Sequence, residues 1–449
     1  MMMSLFRQAR IGLSALCVWG LLAAQTPAAL ALNGPMLGAV EISAVKIWLQ
    51  TNAAAEVQLH YWPAATPQAR RRLRGQTQAA QDYALSFNLE NLQPGTRYHY
   101  QIQEAGQPAS KTYTFRTQPW RKGMDLPNLT IALGSCVYIN DPMVDPPGQE
   151  IGGDYAIFEQ IARTQPDLML WLGDNVYLRP PDFYSKAAIA RRYRQLRSLP
   201  EIQTLLHSTA HYAIWDDHDY GDNDSNRAYR LRSESLEAFE NAWANPAYGL
   251  PEAPGVFTRF QWADAEFFLT DNRYYRAPNA LPEPDKDYFG PQQWRWLKDA
   301  LVSSTATFKL IAIGNQVLNT QSPSENMYSY ERAYREFLDW LTESRIPGVV
   351  LLTGDRHHSE FFKLPRPGTY PLHEWTVSPL TSKAYPPFPV ETEVPIRLPG
   401  SLLKERNFGL LQISGPRGQR ELHLRLHDAR GQLRWEYRIP EQALQLPAP

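Results

Sequence analysis

The chain has 449 residues, 43% of them hydrophobic and 12% aromatic, enough to bury at least one large core and to suggest two or three domains. Its 45 lysines and arginines nearly balance 46 acids, and the acids form no tail or run. Net charge therefore excludes polyanion binding as the main task, and no nucleic-acid partner is expected.

Residues 1–31 read as a secretory signal: Arg7 and Arg10 form a basic start, 11–22 an apolar stretch, and Ala29-Leu30-Ala31 a small-x-small cleavage site. The stretch is short for a membrane span and no later segment reaches ~18 unbroken apolar residues, so no transmembrane segment is expected. There is no twin-arginine pair, and Leu16 before Cys17 suits a lipidated cysteine poorly. The protein is expected to be secreted or periplasmic. Cleavage would leave Cys136 as the one cysteine, which excludes a disulfide framework within the chain. A lone thiol in an oxidising compartment is expected to be buried or bound to metal.

Residues 35–119 read as a small all-β domain. The stretches 39–49 and 56–61 alternate or run apolar, 70–81 is basic and polar, 85–89 comes next, and Pro94-Gly95 turns the chain before the alternating Tyr98-His99-Tyr100. Residues 111–116 supply a further strand. The run Leu92-x-Pro94-Gly95-Thr96-x-Tyr98-x-Tyr100 resembles the corresponding turn of fibronectin type III-like domains. No metal-ligand cluster occurs here, so this domain is expected to pack, shield or recognise. Residues 119–127 read as a linker, and 128–440 are expected to form the second, larger domain.

Beyond the linker, strands and helices alternate, which implies parallel pairing and right-handed crossovers. Helices are expected over 154–164, 183–199, 233–243, 292–302 and 330–344, and terminal strands over 408–414, 421–427 and 433–439 with a turn at Asp428–Gly431. The proline-rich stretches 278–291 and 365–399 are long for connectors and are expected to wall the site.

Five short apolar runs carry the strongest signal. They are 129–133 before Gly134-Ser135-Cys136, 168–172 before Gly173-Asp174, 212–215 before Asp216-Asp217-His218-Asp219, 309–313 before Gly314-Asn315-Gln316, and 349–353 before Gly354-Asp355-Arg356-His357-His358. A buried parallel strand is a short, nearly continuous apolar run, and ligands gather beyond the carboxyl ends of such strands. Singly, an Asp after Gly is usually a turn or cap residue, Tyr177 a core or surface residue, and Asn315 a capping amide. Repeated at five strand ends, the pattern points to a two-metal hydrolytic centre.

Two cations ~3.5–4 Å apart can lower the pKa of water and clamp an in-line displacement at phosphorus. Asp174 is the expected bridging carboxylate. Cys136 and Tyr177 would be anionic ligands, and with ordinary pKa values of ~8.5 and ~10 they need a strong Lewis acid, which argues for Fe3+. Asp217, Asn315, Asp355 and His357 complete the shells, and their oxygens suit Ca2+, Mg2+ or Mn2+ at the second position. His218 or His358 could protonate the leaving oxygen, and Arg191, Arg192 or Arg356 could hold a phosphoryl oxygen. Arg192, Asp217 and His218 are the catalytic candidates.

With these pieces in order, the chain resembles the PhoD-like alkaline phosphatases of the metallophosphatase superfamily. The matching segments are Gly134-Ser135-Cys136, Gly173-Asp174-x-x-Tyr177, Trp215-Asp216-Asp217-His218-Asp219, Gly314-Asn315-Gln316-Val317 and Gly354-Asp355-x-His357. The resemblance implies an α/β fold, a sandwich of two β-sheets flanked by helices and preceded by the β-domain, with an Fe3+ and Ca2+ type centre. It makes Cys136, Asp174 and Tyr177 iron-side ligands, sets Asp217, Asp355 and His357 in the metal shell, and sets His218 beside the phosphate. Asp219 stands where Glu is common in the superfamily. The expected activity is hydrolysis of phosphate esters by attack of a metal-held hydroxide. The alternatives are a phosphodiesterase or phospholipase D-like enzyme acting on lipids or envelope polymers, with Tyr385 and Phe388 as a lipid-facing rim, and a non-catalytic binding protein on the same scaffold.

Overall fold

A computed structural model describes residues 32–104, 106–120, 126–148 and 150–447, so the expected signal segment lies outside the described residues. The amino-terminal strands are β1 (Leu32–Val40), β2 (Val45–Thr51), β3 (Glu56–Pro63), β4 (Arg71–Gln76), β5 (Ala84–Leu89), β6 (Arg97–Glu104) and β7 (Tyr113–Arg116). The apolar stretch at 39–49 is not one strand. The Glu41 N–H donates to Ala44 O at 2.8 Å and the chain reverses there. The basic stretch at 70–81 contains β4, whose arginines face solvent. An edge strand guarded by charge lacks the apolar alternation that would reveal it.

The remainder runs β8 (Leu129–Gly134), α1 (Ile157–Arg163), β9 (Leu168–Leu172), α2 (Lys186–Ser198), α3 (Gln203–Ser208), β10 (Ala210–Ile214), α4 (Asp217–Tyr220) and α5 (Arg232–Ala242). Next come β11 (Thr258–Trp262), β12 (Ala265–Leu269), α6 (Pro291–Ser303), β13 (Phe308–Ile313), α7 (Glu331–Glu343), β14 (Val349–Thr353), β15 (Glu360–Leu364) and β16 (Leu372–Thr376). The chain ends with β17 (Asn407–Ser414), β18 (Glu421–Asp428) and β19 (Leu433–Pro440). Four of these strands, β11, β12, β15 and β16, carry no sequence expectation. The stretch 365–399 is not all loop, because β16 is a buried strand paired in parallel with β14.

Three sheets result: a nine-stranded sheet β19-β18-β17-β8-β9-β10-β1-β2-β5, a six-stranded sheet β11-β12-β13-β14-β16-β15, and a four-stranded sheet β4-β3-β6-β7. Strands β8, β9 and β10 are parallel neighbours, as are β12, β13, β14 and β16. Side chains alternate across a strand. Accordingly Ile131, Leu170 and Ile214 share one core with Leu310 and Leu351 of the six-stranded sheet, while Ala132, Trp171 and Ala213 join the core under α1, α2 and α5. The centre is a two-sheet sandwich flanked by helices.

The amino-terminal segment is also a sandwich, with β1, β2 and β5 facing the four-stranded sheet. Its first sheet is continuous with the central one, because β1 pairs with β10 at Leu37↔Ala210 and the Tyr212 hydroxyl accepts from the Val40 N–H at 2.9 Å. Strands from both sides of the expected linker at 119–127 thus share one sheet.

Candidate metal centre

Each ligand cluster sits just past the carboxyl end of a strand. β8, β9 and β10 deliver Cys136, Asp174 and the Asp216–Asp219 turn from one sheet, while β13 and β14 deliver Asn315, Asp355 and His357 from the other. Two glycines let the sheet ends meet. A Cβ on Gly354 would lie 2.6 Å from Ser135 Cβ and 2.7 Å from Leu172 O, and one on Gly314 would lie 2.7 Å from Asp216 Cγ. Cys136, Asp174, Asp355 and His357 adopt φ of 60°, 51°, 71° and 56°. Left-handed backbone at a non-glycine residue costs of order 1–3 kcal/mol and persists only where its surroundings over-determine it. Here it occurs at four donor residues immediately after strand ends.

Donor atoms of Cys136, Asp174 and His357 lie within 4.8 Å of one another, and so do those of Asp174, Asp217 and His218. Asp174 belongs to both groups. Its Oδ2 is 3.6 Å from Cys136 Sγ and accepts from the Tyr177 hydroxyl at 3.2 Å. Tyr177 Oη is 2.9 Å from His357 Nε2, while His357 Nδ1 donates to Lys383 O at 2.6 Å, which leaves the Nε2 lone pair facing inward. Asn315 Oδ1 accepts from the Tyr288 hydroxyl, and its Nδ2 is buried with no partner. Turning the amide over would give Tyr288 the nitrogen and free the oxygen that a ligand role requires.

The electrostatics test whether cations fit. Burial raises the Asp174 carboxyl well above its ordinary value, and Asp217, Asp216, Asp219 and Asp355 push it further. Asp355 is raised by burial, then by Asp216 and Asp217. Burial also raises the Cys136 thiol, reinforced by Asp174 and Asp355, and the Tyr177 phenol, reinforced by Cys136 and Asp174. Only Asp217 departs: burial opposes its ionisation, but His218, Arg273 and the Asp224 N–H hold its carboxyl below the usual range. Left to itself the cage resists the anionic forms of its own donors. Multivalent cations reverse that balance, so the thiol, phenol, carboxylate and imidazole set fits them. Buried, unpartnered Asp216 Oδ2 and Asp217 Oδ1 point the same way.

A third acidic group, Asp216, Asp217 and Glu325, also has its oxygens within 4.8 Å. The guanidinium of Arg273 already occupies it, pairing with Asp216 and Glu325 and standing 3.8 Å from Asp217 Oδ1. Arg276 holds the other Glu325 oxygen at 3.0 Å, and Asn272 donates to Asp216 Oδ1 at 2.8 Å. Sequence reasoning missed this segment. The signal was present, since the apolar run of β12 ends in Thr270-Asp271-Asn272-Arg273 just as the other five end in polar clusters.

The centre opens into a cavity of about 1080 Å³ lined by His218, Asp355, His357 and His358, and by Tyr385 through Pro389. The His218 ring stacks on Tyr177 with centroids 4.3 Å apart, and Tyr385 stacks on His357 at 5.2 Å. The 365–399 stretch thus walls the cavity through 385–389, whereas 278–291 contributes Asn279. His358 is buried, 3.4 Å from Glu360 Oε1 without a well-aligned bond. Arg356 lines the cavity but is held by both Glu391 oxygens at 2.7 and 2.8 Å. Arg192 is not brought to the cavity. It is buried, with Nε on Asp182 at 2.5 Å and Nη1 on Asp141 at 2.8 Å, and Arg191 pairs with the same two acids. A charged side chain removed from water goes to the nearest opposite charge, and the helix α2 arginines meet theirs before reaching the site.

The sequence pattern of the PhoD family, described as PhoD-like phosphatase, matches residues 135–395, and that of the purple acid phosphatase N-terminal domain matches 41–117. Alkaline phosphatase D of Bacillus subtilis (strain 168) is 26% identical over 355 residues, 66% of this chain, and the chain spans 58% of that relative's length. A solved structure of PhoD superposes with a TM-score of 0.75 at 18% identity, covering 92% of this chain and 90% of the other. The purple acid phosphatase PPD1 of yellow lupin (Lupinus luteus) seeds gives 0.69 at 11% identity, covering 94% and 77%.

Proposed function

The chain belongs to the PhoD-like phosphatase family, and on that premise we propose that it is an exported, metal-dependent phosphoesterase whose substrate enters the cavity between the two sheets. The observation that carries this reading is the position of Asp174, one carboxylate common to a Cys136/His357 donor group and an Asp217/His218 donor group. Cys136, Asp174, Tyr177 and His357 would hold one cation. Asp174, Asp217, Asn315 and Asp355 would hold the other. Bound there, cations lower the pKa of water and neutralise phosphoryl oxygens. The thiol and phenol favour Fe3+ on the first side, and the oxygen donors favour Ca2+ on the second, with Mg2+ or Mn2+ compatible.

The chain's own residues do the rest. His357 is fixed through Nδ1 to Lys383 O, which aims its Nε2 at the same point as Tyr177 Oη. His218 lines the cavity beside Asp217; burial lowers its imidazole below the ordinary value, and the Asp217 charge offsets part of that. A ring nitrogen of His218 is our choice for the proton delivered to the departing alcohol oxygen. Pro386, Pro387 and Phe388 form one wall of that cavity.

A diester substrate is the second reading. It is favoured by the aromatic lip, where Tyr385 and Phe388 remain 47% and 46% exposed at the cavity mouth and could receive a second ester arm. Rates on p-nitrophenyl phosphate and on its bis-ester, with elemental analysis of the same protein, test both readings. Two cations per chain and turnover are expected, and Asp174→Ala should lose both while remaining folded. Activity of that variant within tenfold of wild type would falsify the assignment.

A further inference from the structure

The four-stranded sheet β4-β3-β6-β7 has one face against the core and one in water. Val57, Leu59 and Tyr61 of β3 and Tyr98, Tyr100 and Ile102 of β6 point inward and are buried. Strict alternation therefore turns Gln58 and His60 of β3, and His99 and Gln101 of β6, outward. The register sets Arg74 opposite Gln58 and Arg72 opposite His60 on the edge strand. At the other end Arg97 lies directly across from Arg116. Like charges directly opposite each other destabilise a sheet pair, so this arrangement carries a cost.

Arg70 extends the row. Its guanidinium lies 4.6 Å from the Trp62 ring centroid and donates to Gln101 Oε1 at 2.9 Å. Glu56, 4.0 Å from Arg74, is the acid on these strands that faces the same way. Among the described residues Arg70, Arg72 and Arg97 form no ion pair. The face is thus basic in a chain whose overall charge is close to neutral. Between the arginines runs a row of neutral hydrogen-bonding groups: Gln101 donates to Thr112 Oγ1 at 3.1 Å, and His99 meets Thr114 Oγ1 at the same distance.

We propose that this outer face binds an acidic polysaccharide. Cations spaced at alternate strand positions, ~6.6 Å apart, match a linear polyanion. The amide, imidazole and hydroxyl row matches a hydroxyl-rich chain. A membrane surface is disfavoured because the large exposed hydrophobic residues lie on other parts of the molecule. Single-stranded nucleic acid is disfavoured because Arg70 covers Trp62, removing the open ring that bases would stack on. This inference does not rest on the phosphoesterase reading.

Affinity electrophoresis of the full chain through polygalacturonate, with dextran as the neutral control, tests it. Wild type should be retarded by polygalacturonate alone. The triple variant Arg72→Glu, Arg74→Glu, Arg97→Glu should bind at least tenfold more weakly, with unchanged circular dichroism and melting temperature. The proposal is overturned if wild type is not retarded, if the folded triple variant binds as wild type does, or if single-stranded DNA or anionic vesicles are preferred at equal charge concentration.

Discussion

Tyr177 Oη and His357 Nε2 lie 2.9 Å apart although 180 residues separate them in sequence. The contact joins the turn after β9 in one sheet to the turn after β14 in the other, so it exists only when the two sheets are packed. Burial raises the phenol far above its ordinary pKa, with Cys136 and Asp174 adding to the effect. Only a strong cation can make it a phenolate near neutral pH. Tyr177→Phe keeps the ring that stacks on His218 and removes the oxygen. The metal-loaded wild type should show a visible charge-transfer band that this variant loses or shifts. A colourless wild type holding only zinc would end the ligand roles of Tyr177 and Cys136.

Arg273 is the internal cation of the Asp216, Asp217 and Glu325 group. Removing one member of a buried ionic cluster leaves the others uncompensated, at a cost of about 3–5 kcal/mol. Urea unfolding of metal-stripped Arg273→Ala should show a loss of that size, and Arg273→Lys should recover part of it. A loss under about 1 kcal/mol would mean that water already screens the cluster.

Gly354 lies where the two sheets approach, with Ser135 Cβ and Leu172 O inside the space a methyl would take. One of the obstructing groups is backbone and cannot rotate away. Gly354→Ala should destabilise the protein by about 1–3 kcal/mol. It should also reduce turnover more than tenfold, because Asp355 is the next residue. Wild-type kinetics in a folded Ala variant would contradict the close approach.

His373, on β16 and away from the cavity, is buried and its pKa falls to about 3 through burial, then the charges of Lys363 and Arg366. Below about pH 6.5 the unfolded chain takes up a proton that the folded one refuses. The contribution is therefore fully present above that pH and lost as pH falls toward 3. Unfolding free energy should change by up to about 1.4 kcal/mol per pH unit from this group between pH 6 and 4. His373→Leu should flatten the measured slope by that amount, and an unchanged slope would refute the assignment.

Local sequence was enough to locate five strand ends and the polar residues just beyond them that are the candidate donors. Leu168–Leu172 and Val349–Thr353 match their observed bounds, because a strand buried on both faces must be apolar throughout and its first polar residues mark where it stops. Five such ends suffice to nominate the donor set. Which charges meet is a matter of packing. Arg192 went to Asp141 and Asp182, and Arg273 went to the site, because ion pairs form between loops whose proximity is not written in local spacing. The joining of β1 to β10, the solvent-facing β4 and the interior position of β16 were equally hidden. Strand pairing depends on backbone hydrogen bonds that every residue except proline can make, so periodicity reveals a strand without naming its neighbour.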